Sequence, residues 1–322
     1  MEKIINVKDL TKVYEVPIKQ GFWKSIFVSK NKELVAVNKV GFGIEVGESV
    51  ALLGPNGAGK TTTLKMLTGL LYPTSGDIEV LGYTPTDRKR EFLSQIALVM
   101  GNKTGLSWDL SARQSFTLFK TIYQIPENIF EKRLTELTEL LDATEYLDTP
   151  VRKLSLGQRL KMELVGAILH RPSLLFLDEP TIGLDVVSKR KIRNFLRYLH
   201  REEKTTIILT SHEMADIEMV SDRVIVINNG QIVFDNSLEK LLHNYQDKKY
   251  LTVTFTKPVA IDKLSKLGNI IDSKELTATL EIPREKQGKV MARLTEKFPV
   301  DDIDVRSIPL DEIMEDLFAK TR

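Results

Sequence analysis

The stretch that most constrains the fold of this chain runs from Gly54 to Thr62. It fits the spacing Gly, any four residues, Gly, Lys, Ser/Thr, which is typical of a loop that cradles phosphates. An apolar run at 49–53 precedes it and predicts a buried strand, and a helical pattern follows it. In this context of strand, loop and helix, the motif predicts a nucleoside triphosphate site; the alternative is a glycine-rich turn without a ligand.

We call this stretch the phosphate loop. Its glycines let consecutive backbone N–H groups turn inward around a phosphate chain, and the N-terminus of the following helix adds partial positive charge. We expect Lys60 to reach the β- and γ-phosphates and the Thr61 hydroxyl to bind Mg²⁺. The candidate nucleotide-binding residues are Gly54, Pro55, Asn56, Gly57, Ala58, Gly59, Lys60, Thr61 and Thr62.

Composition narrows the class of protein. The 322 residues are 42% hydrophobic and 28% charged, with a formal net charge of +2, which indicates a globular chain with room for one large and one smaller domain. The near-neutral charge argues against a dedicated nucleic-acid-binding protein, although it leaves room for a local basic patch. The chain contains no cysteine, so disulfides, thiol catalysis and cysteine-bound metals are excluded. The sequence shows no signal-peptide pattern and no spanning apolar run, so we expect any role at a membrane to be peripheral.

Two further buried-strand patterns end in residues suited to hydrolysis. The apolar run at 174–177 ends in Asp178 and Glu179, and a doubly wound sheet places its ligand contacts at the C-terminal ends of such strands. We expect Asp178 to hold Mg²⁺ through water and Glu179 to orient or deprotonate the attacking water; the alternative for Asp178 is a helix N-cap. A third run, at 205–210, is followed by His212, which is either a second group at the same sheet edge or an ordinary satisfied histidine.

Other stretches predict the framework around these residues. Apolar or alternating runs predict strands at 3–14, 40–46, 77–81 and 96–100, and Asn228-Asn229-Gly230 predicts a hairpin. Residues 109–170 have a helical period, and we interpret their apolar stripes as core faces. The stripes are Phe116, Phe119, Ile122 and Tyr123, and then Leu134, Leu137, Leu140 and Leu141.

A basic, aromatic segment lies between Val16 and Glu33. Its apolar residues Phe22, Trp23, Ile26 and Phe27 alternate with lysines in a way that favours one face of a short amphipathic helix. The segment either packs onto its own domain or contacts a membrane surface or a membrane-embedded partner.

In this order the motifs resemble those of the ATP-binding subunit of ABC transporters. The run from Leu154 to Gln158 resembles the family's signature, which we expect to open a helix at 159–169, and residues 181–185 resemble the D-loop. His212 is similar to the switch histidine, and Tyr14 to the aromatic residue that stacks on adenine. The resemblance covers residues 3–240 or so, and it implies an α/β fold: a P-loop NTPase core of ABC type with a helical subdomain at about 105–170.

The resemblance also implies a mode of action. We expect an ATPase that uses ATP and Mg²⁺ and pairs head to tail with a second ATPase subunit, identical or different. Ser155, Gly157 and Gln158 of the signature, with Asp185 of the D-loop, would then complete the partner's nucleotide site. Each hydrolysis cycle would drive transmembrane permease subunits from the cytoplasmic face of the cell membrane, with no nucleic acid involved.

The chain departs from the family pattern at two positions. Leu156 stands where the signature usually has a third-position glycine, although Ser155 and Gly157 face the phosphates in the family. Asn102 is the nearest candidate for the glutamine that follows the strand at 96–100. Its amide oxygen still suits Mg²⁺ but reaches less far, so the link between metal binding and partner movement is in doubt. The long insertion, the signature spelling and a C-terminal extension favour an export-type subgroup.

The C-terminal part predicts a second domain at 245–322, separate from an ATPase domain at 1–240. Its pattern is β-α-β-β-α-β, a small α+β arrangement of ferredoxin-like type, followed by an amphipathic helix with Leu310, Ile313, Met314 and Leu317 on one face. No group of residues there suggests chemistry, so our hypothesis is a regulatory or dimer-bracing role.

Three classes of function compete. The first is a transport ATPase acting on a separate membrane subunit. The second is a soluble ABC ATPase acting on ribosomes or DNA; its relatives usually have two ATPase domains or long coiled-coil insertions, and the sequence shows neither. The third is a subunit that binds nucleotide with little hydrolysis, which Asn102 and Leu156 favour and which Glu179 and His212 oppose.

Overall fold

The computed structural model describes residues 3–17, 31–101, 103–243 and 247–320. The chain divides into two compact units, the first ending at Asn236 and the second beginning at Ser237. Asn102 and the apolar residues of the predicted insertion helix lie outside the described residues. Within the described ranges, no helix is long and apolar enough to cross a membrane.

The first unit contains nine of the described strands and seven of the described α-helices. Its strands are β1 (Lys3–Pro17), β2 (Asn31–Glu45), β3 (Ser49–Leu53), β4 (Ser75–Val80), β5 (Ile96–Met100), β6 (Leu174–Asp178), β7 (Thr206–Thr210), β8 (Arg223–Asn228) and β9 (Gln231–Ser237). Its helices are α1 (Lys60–Leu67), α2 (Arg90–Leu93), α3 (Ala112–Ile122), α4 (Glu127–Leu140), α5 (Leu156–Ile168), α6 (Val186–Arg201) and α7 (Met214–Val220).

The central sheet of the first unit has the order β5-β6-β7-β3-β8-β9 among the described strands. Its neighbours from β5 to β8 pair in parallel, and their apolar side chains are buried, as continuous apolar runs predict. The register places Asp178 opposite both Met100 and Thr210, so these strands end together at one edge. The predicted hairpin is confirmed, with Asn229 and Gly230 both at positive φ as its turn requires.

A second, antiparallel sheet has the order β2-β1-β4. Strands β1 and β2 are longer than the predicted 3–14 and 40–46, because they continue to pair as far as Pro17 opposite Asn31. The added pairs include Glu15 opposite Glu33, where no apolar alternation marks a strand. The buried faces of both sheets enclose α1 in one core.

Helices α3, α4 and α5 form the predicted helical subdomain, around a core that includes Phe116, Leu134 and Leu137. The prediction that Ile122 faces the core is wrong: its side chain is 54% exposed because α3 lies at the subdomain surface. A methyl group on Gly166 would lie 3.0 Å from ring atoms of Phe116 and Phe119, so only glycine allows α5 to approach α3 this closely. Helix α5 begins at Leu156, earlier than predicted, because Ser155 and Gln158 form a capping box at its start.

The second unit is built around a four-stranded antiparallel sheet among its described residues. Its strands are β10 (Lys248–Phe255), β11 (Asn269–Ser273), β12 (Thr277–Pro283) and β13 (Val300–Ser307); its helices are α8 (Leu238–His243), α9 (Ile261–Leu264), α10 (Gln287–Lys297) and α11 (Leu310–Lys320). The order β11-β12-β10-β13 is the ferredoxin-like arrangement that the sequence predicts. Leu251, Leu280 and Leu294 belong to its own hydrophobic core.

Candidate functional site

The phosphate loop connects β3 to α1 and passes close to the backbone of neighbouring strands. A methyl group on Gly54 would lie 2.1 Å from the Ile227 carbonyl oxygen, and one on Gly59 would lie 2.5 Å from the Ala36 carbonyl oxygen. Gly59 also has a φ of +110°, in the left-handed region that favours glycine. Backbone contact and backbone conformation therefore both restrict these positions to glycine.

Lys60 is buried at the start of α1, with 6% of its surface exposed. Its Nζ donates hydrogen bonds to the carbonyl oxygens of Gly54, at 2.6 Å, and Pro55, at 3.1 Å, so the side chain folds back over its own loop. Burial lowers the pKa of the Lys60 ammonium, while the carboxylates of Glu179 and Asp178 act in the opposite direction. A phosphate in the loop would supply a further negative partner for this cation.

Asp178, at the end of β6, is next to the phosphate loop. The Thr61 hydroxyl lies 3.0 and 3.1 Å from its two carboxylate oxygens, and the Thr210 hydroxyl donates to it at 2.7 Å. These oxygens are the ligands that Mg²⁺ prefers. In the described part of the chain, no group of three or more acidic or histidine side chains is arranged so that it could hold a metal ion by itself. The site thus fits an ion that keeps several waters and takes phosphate oxygens, as Mg²⁺ does.

Glu179 and His212 form a direct pair, with 2.9 Å between His212 Nε2 and Glu179 Oε1. The Glu179 backbone is in the left-handed region, at a φ of +53°, and its N–H donates to both the carbonyl and the hydroxyl oxygen of Thr210. The two side chains are 24% and 43% exposed, respectively, so water reaches both. This pair can orient a water molecule and accept its proton.

A cavity of about 210 Å³ lies beside Asp178 and Glu179, and neither Lys60 nor His212 lines it. It brings together Thr61, Asp178 and Glu179, and it adds two lysines that the sequence reasoning missed. The signal for Lys103 was its place three residues after the end of β5, at the same edge of the sheet. The full lining is Thr61, Lys65, Met100, Lys103, Asp178, Glu179 and Ile182.

The signature and the D-loop touch each other. A methyl group on Gly157 would lie 2.9 Å from Ser188 Oγ, so the start of α5 packs directly on the first turn of α6. Asp185 caps α6 by accepting hydrogen bonds from the Ser188 N–H and hydroxyl, at 2.9 and 2.6 Å, and these bonds lower the pKa of its carboxyl group. Ser155 is exposed, and the Gln158 side chain accepts from its N–H.

Exposed apolar side chains surround this junction. Leu156 is 37% exposed, Ile182 50%, Val186 80% and Val187 78%; we call these four the apolar patch. Leu156 belongs to the patch because its side chain approaches Gly183 of the D-loop, where an added methyl group would lie 3.1 Å away. Exposed apolar groups that lie close together are typical of a surface that binds a protein, a membrane or a ligand.

Tyr14 and Asp216 complete the candidate residues. Tyr14 lies on β1 opposite Leu34, half-buried, with Lys12 Nζ 5.4 Å from its ring centre; its adenine contact stays a prediction. Asp216 was missed because an acidic residue in the first turn of a helix is ordinary in sequence. Its buried carboxylate accepts hydrogen bonds from Thr181 of the D-loop, Ser211 beside His212, and Arg193, at 2.5 to 2.6 Å.

Comparisons with known proteins show what the whole chain is similar to. Residues 37–182 match the family model "ABC transporter", and residues 247–306 match "EvrA-like ABC transporter, C-terminal domain". The ABC transporter ATP-binding protein NatA of Bacillus subtilis is 34% identical over 233 residues, which cover 72% of this chain and 94% of NatA. The bacitracin transport ATP-binding protein BcrA of Bacillus licheniformis is 34% identical over 251 residues, covering 78% of this chain and 74% of BcrA.

A solved structure of an ATP-binding subunit of an ABC transporter is 27% identical, with a TM-score of 0.62; it covers 75% of this chain and 93% of that chain. Its similarity confirms the predicted core architecture. On the strength of these relatives and of the phosphate loop beside the Glu179–His212 pair, this chain belongs to the family of ABC transporter ATP-binding proteins and is an ATPase.

Proposed function

We propose that this chain binds ATP with Mg²⁺, pairs with a second ATPase subunit, and drives a transmembrane permease that exports its substrate. The observation that carries the proposal is the convergence of Lys60, Thr61, Asp178, Glu179 and His212 at one edge of the central sheet. Transporters of this family couple such ATP-binding subunits to permease partners, so the transport class is favoured over action on ribosomes or DNA.

Each residue has a role in the proposed hydrolysis. Lys60 and the loop N–H groups bind the β- and γ-phosphates, while Thr61 and Asp178 would hold Mg²⁺, which would neutralise charge that develops on the phosphates. Glu179 accepts the proton of the attacking water, and His212 holds the Glu179 carboxylate in place. Asn102, as a further metal ligand, stays a prediction because it lies outside the described residues.

The apolar patch supports the proposed dimer. Exposed branched side chains at Val186 and Val187 lie beside the start of α5, where Ser155 is exposed and Gly157 is buried against Ser188. A second subunit that covers this surface would bury apolar area and place its own ATP against the N-terminus of that helix. ATP would then hold the two subunits together until hydrolysis releases them.

The export direction and the location rest on the resemblance. The insertion between β1 and β2 and the signature spelling favour the export-type subgroup, and BcrA is a relative named for bacitracin transport. Location at the cytoplasmic face follows from binding to the permease. We further propose that the second unit regulates or braces the dimer, since it has its own core and no candidate site.

The decisive experiment is co-purification from detergent-solubilised membranes with tagged Glu179→Gln protein and ATP. This variant keeps the phosphate loop but lacks the base, so we expect trapped dimers, hydrolysis lowered about 100-fold or more, and a polytopic membrane protein in the eluate. The matched control is Lys60→Ala/Glu179→Gln, which removes phosphate binding and should lose the trapping. Recovery of ribosomes or DNA without a membrane protein would favour the second class, and normal turnover of Glu179→Gln would refute the assigned base.

A further inference from the structure

The loop that follows β5 is fastened to the catalytic segment at its beginning. The Gly101 N–H donates to the Asp178 carbonyl oxygen at 2.9 Å. A methyl group on Gly101 would lie 2.2 Å from the Glu179 carbonyl oxygen, so the two backbones are in direct contact. Two residues later, the Lys103 side chain lines the cavity that Thr61, Asp178 and Glu179 share. An occupant of that cavity therefore meets this loop directly.

The same loop is fastened at its other end to α5, the helix that begins with the signature. Glu163 of α5 accepts hydrogen bonds from the Gly105 N–H at 3.0 and 3.1 Å and from the Leu106 N–H at 3.4 Å. The Thr104 hydroxyl donates to the same carboxylate. Thr104 is itself part of the loop, since its hydroxyl also accepts from the Leu106 N–H at 3.2 Å.

Glu163 is buried, so its carboxylate requires the hydrogen bonds that the loop donates. Only 9% of its surface is exposed, and none of the ion pairs among the described residues includes it. A buried carboxylate without a cation depends on its hydrogen-bond donors, because an unsatisfied charge is costly in a low-dielectric interior. The donors come almost entirely from residues 104–106, so the carboxylate and the loop hold each other in one arrangement.

Helix geometry extends the connection to the signature. Glu163 lies about two turns, or roughly 12 Å, along α5 from Ser155. Helix α5 is one continuous helix from Leu156 to Ile168, which contacts α3 at Gly166 and α6 at Gly157. A shift of the loop at residues 103–106 would be passed to the exposed start of the signature helix.

We infer that Glu163 is a positioning residue that couples the cavity beside Asp178 and Glu179 to the signature helix of the same chain. Occupation of the cavity moves Lys103 and its loop, and Glu163 transfers that movement to α5. The inference rests on the proposed function only for what the signature helix does in a dimer. The coupling itself lies within one chain, so it is measurable without a partner.

The test is hydrogen–deuterium exchange of the full chain with and without AMP-PNP and Mg²⁺, at a concentration where sedimentation shows a monomer. In the wild type, we expect the nucleotide to change exchange at 54–62 and also at 156–168. In Glu163→Ala, the change at 54–62 should remain and the change at 156–168 should disappear. ATPase measurements should show kcat lowered about tenfold, with KM for ATP altered less than about twofold.

Milder variants keep the test decisive if Glu163→Ala fails to fold. Glu163→Gln keeps an amide oxygen that accepts hydrogen bonds from the loop, and Thr104→Val removes one hydrogen-bond donor. Each variant should therefore reduce, but not abolish, the nucleotide-dependent change in exchange at 156–168. Glu139→Ala removes an exposed carboxylate from α4 and should behave as the wild type. The inference is overturned if nucleotide leaves 156–168 unchanged in the wild type, or changes it equally in all of the Glu163 and Thr104 variants that fold. Failure of Glu179→Gln to dimerise would refute the proposed dimer without touching this result.

Discussion

At the scale of single residues, the phosphate loop shows how two glycines in one motif differ. Both Gly57 and Gly59 have positive φ, at +82° and +110°. A methyl group on Gly57 meets no atom within 4 Å, whereas on Gly59 it would lie 2.5 Å from the Ala36 carbonyl oxygen. Substitution of Gly57 by alanine would thus cost backbone strain alone. At Gly59, a steric collision would add to the backbone strain.

These two positions form a matched pair of variants. We expect Gly57→Ala to lower the free energy of unfolding by about 1 to 2 kcal/mol and to keep nucleotide binding. Gly59→Ala should lose more stability and lose binding of a fluorescent ATP analogue, because β2 and the loop cannot both keep their places. Urea unfolding and nucleotide titration measure the two effects. Equal effects of the two substitutions would show that the Ala36 contact does not matter.

Glu179 and His212 illustrate a different point at the same scale. The sequence places each after a buried strand, but only the structure shows the 2.9 Å contact between them. The left-handed backbone at Glu179 was not predicted, since glutamate carries no preference for it. Thr210 compensates by accepting the Glu179 N–H with two oxygens.

At the scale of elements, His170 joins three of them just after α5. Its ring stacks on Tyr123 at the end of α3, with ring centres 3.8 Å apart, and its Nε2 lies 3.3 Å from the Ile96 carbonyl oxygen of β5. Burial lowers the pKa of His170 to about 4, from an ordinary value of 6.5. Between about pH 4 and 6.5, the His170 ring therefore stays neutral in the folded state, whereas it takes up a proton in the unfolded chain.

This difference predicts a pH dependence of stability. The contribution of neutral His170 to the free energy of unfolding amounts to about 3 kcal/mol. It is present above pH 6.5 and is lost progressively as the pH falls toward about 4. His170→Phe keeps a ring against Tyr123. In urea unfolding, it should remove this part of the pH dependence of the free energy of unfolding between pH 6.5 and 4.5. Above pH 7, the two proteins should show the same slope. An unchanged acid slope in His170→Phe would contradict the assignment.

Asp216 connects elements near the site. It holds the D-loop through Thr181 and the segment before His212 through Ser211, so the two loops have a common buried anchor. The contact with Thr181 joins residues 35 positions apart, and periodicity carries no information about such a contact. The same holds for Glu163 and its loop.

At the scale of the whole molecule, the two units have separate hydrophobic cores. We therefore predict that a fragment of residues 1–236 folds and binds ATP with affinity near that of the full chain. If the second unit braces the dimer, ATP-dependent dimerisation of the Glu179→Gln fragment should be weaker. Analytical ultracentrifugation with ATP measures this, and the full-length Glu179→Gln protein is the control. Equal dimerisation and hydrolysis with and without the second unit would remove the bracing hypothesis.

The sequence by itself determined the fold class and predicted which residues form the candidate site. The phosphate loop motif, the apolar runs of the parallel strands and the carboxylates at their ends are local patterns, and local patterns follow from backbone sterics and burial. The ferredoxin-like order of the second unit was also predicted, because its strands and helices alternate with clear periods.

Only the tertiary structure decided which side chains meet. The Glu179–His212 pair, the entry of Lys103 into the cavity, the exposed face of α3 at Ile122 and the attachment of Glu163 to residues 104–106 all depend on contacts between distant segments. Their energies come from packing and from buried hydrogen bonds, which arise only after the elements have assembled. That is why the site residues could be named from the sequence, while the connections among them could not.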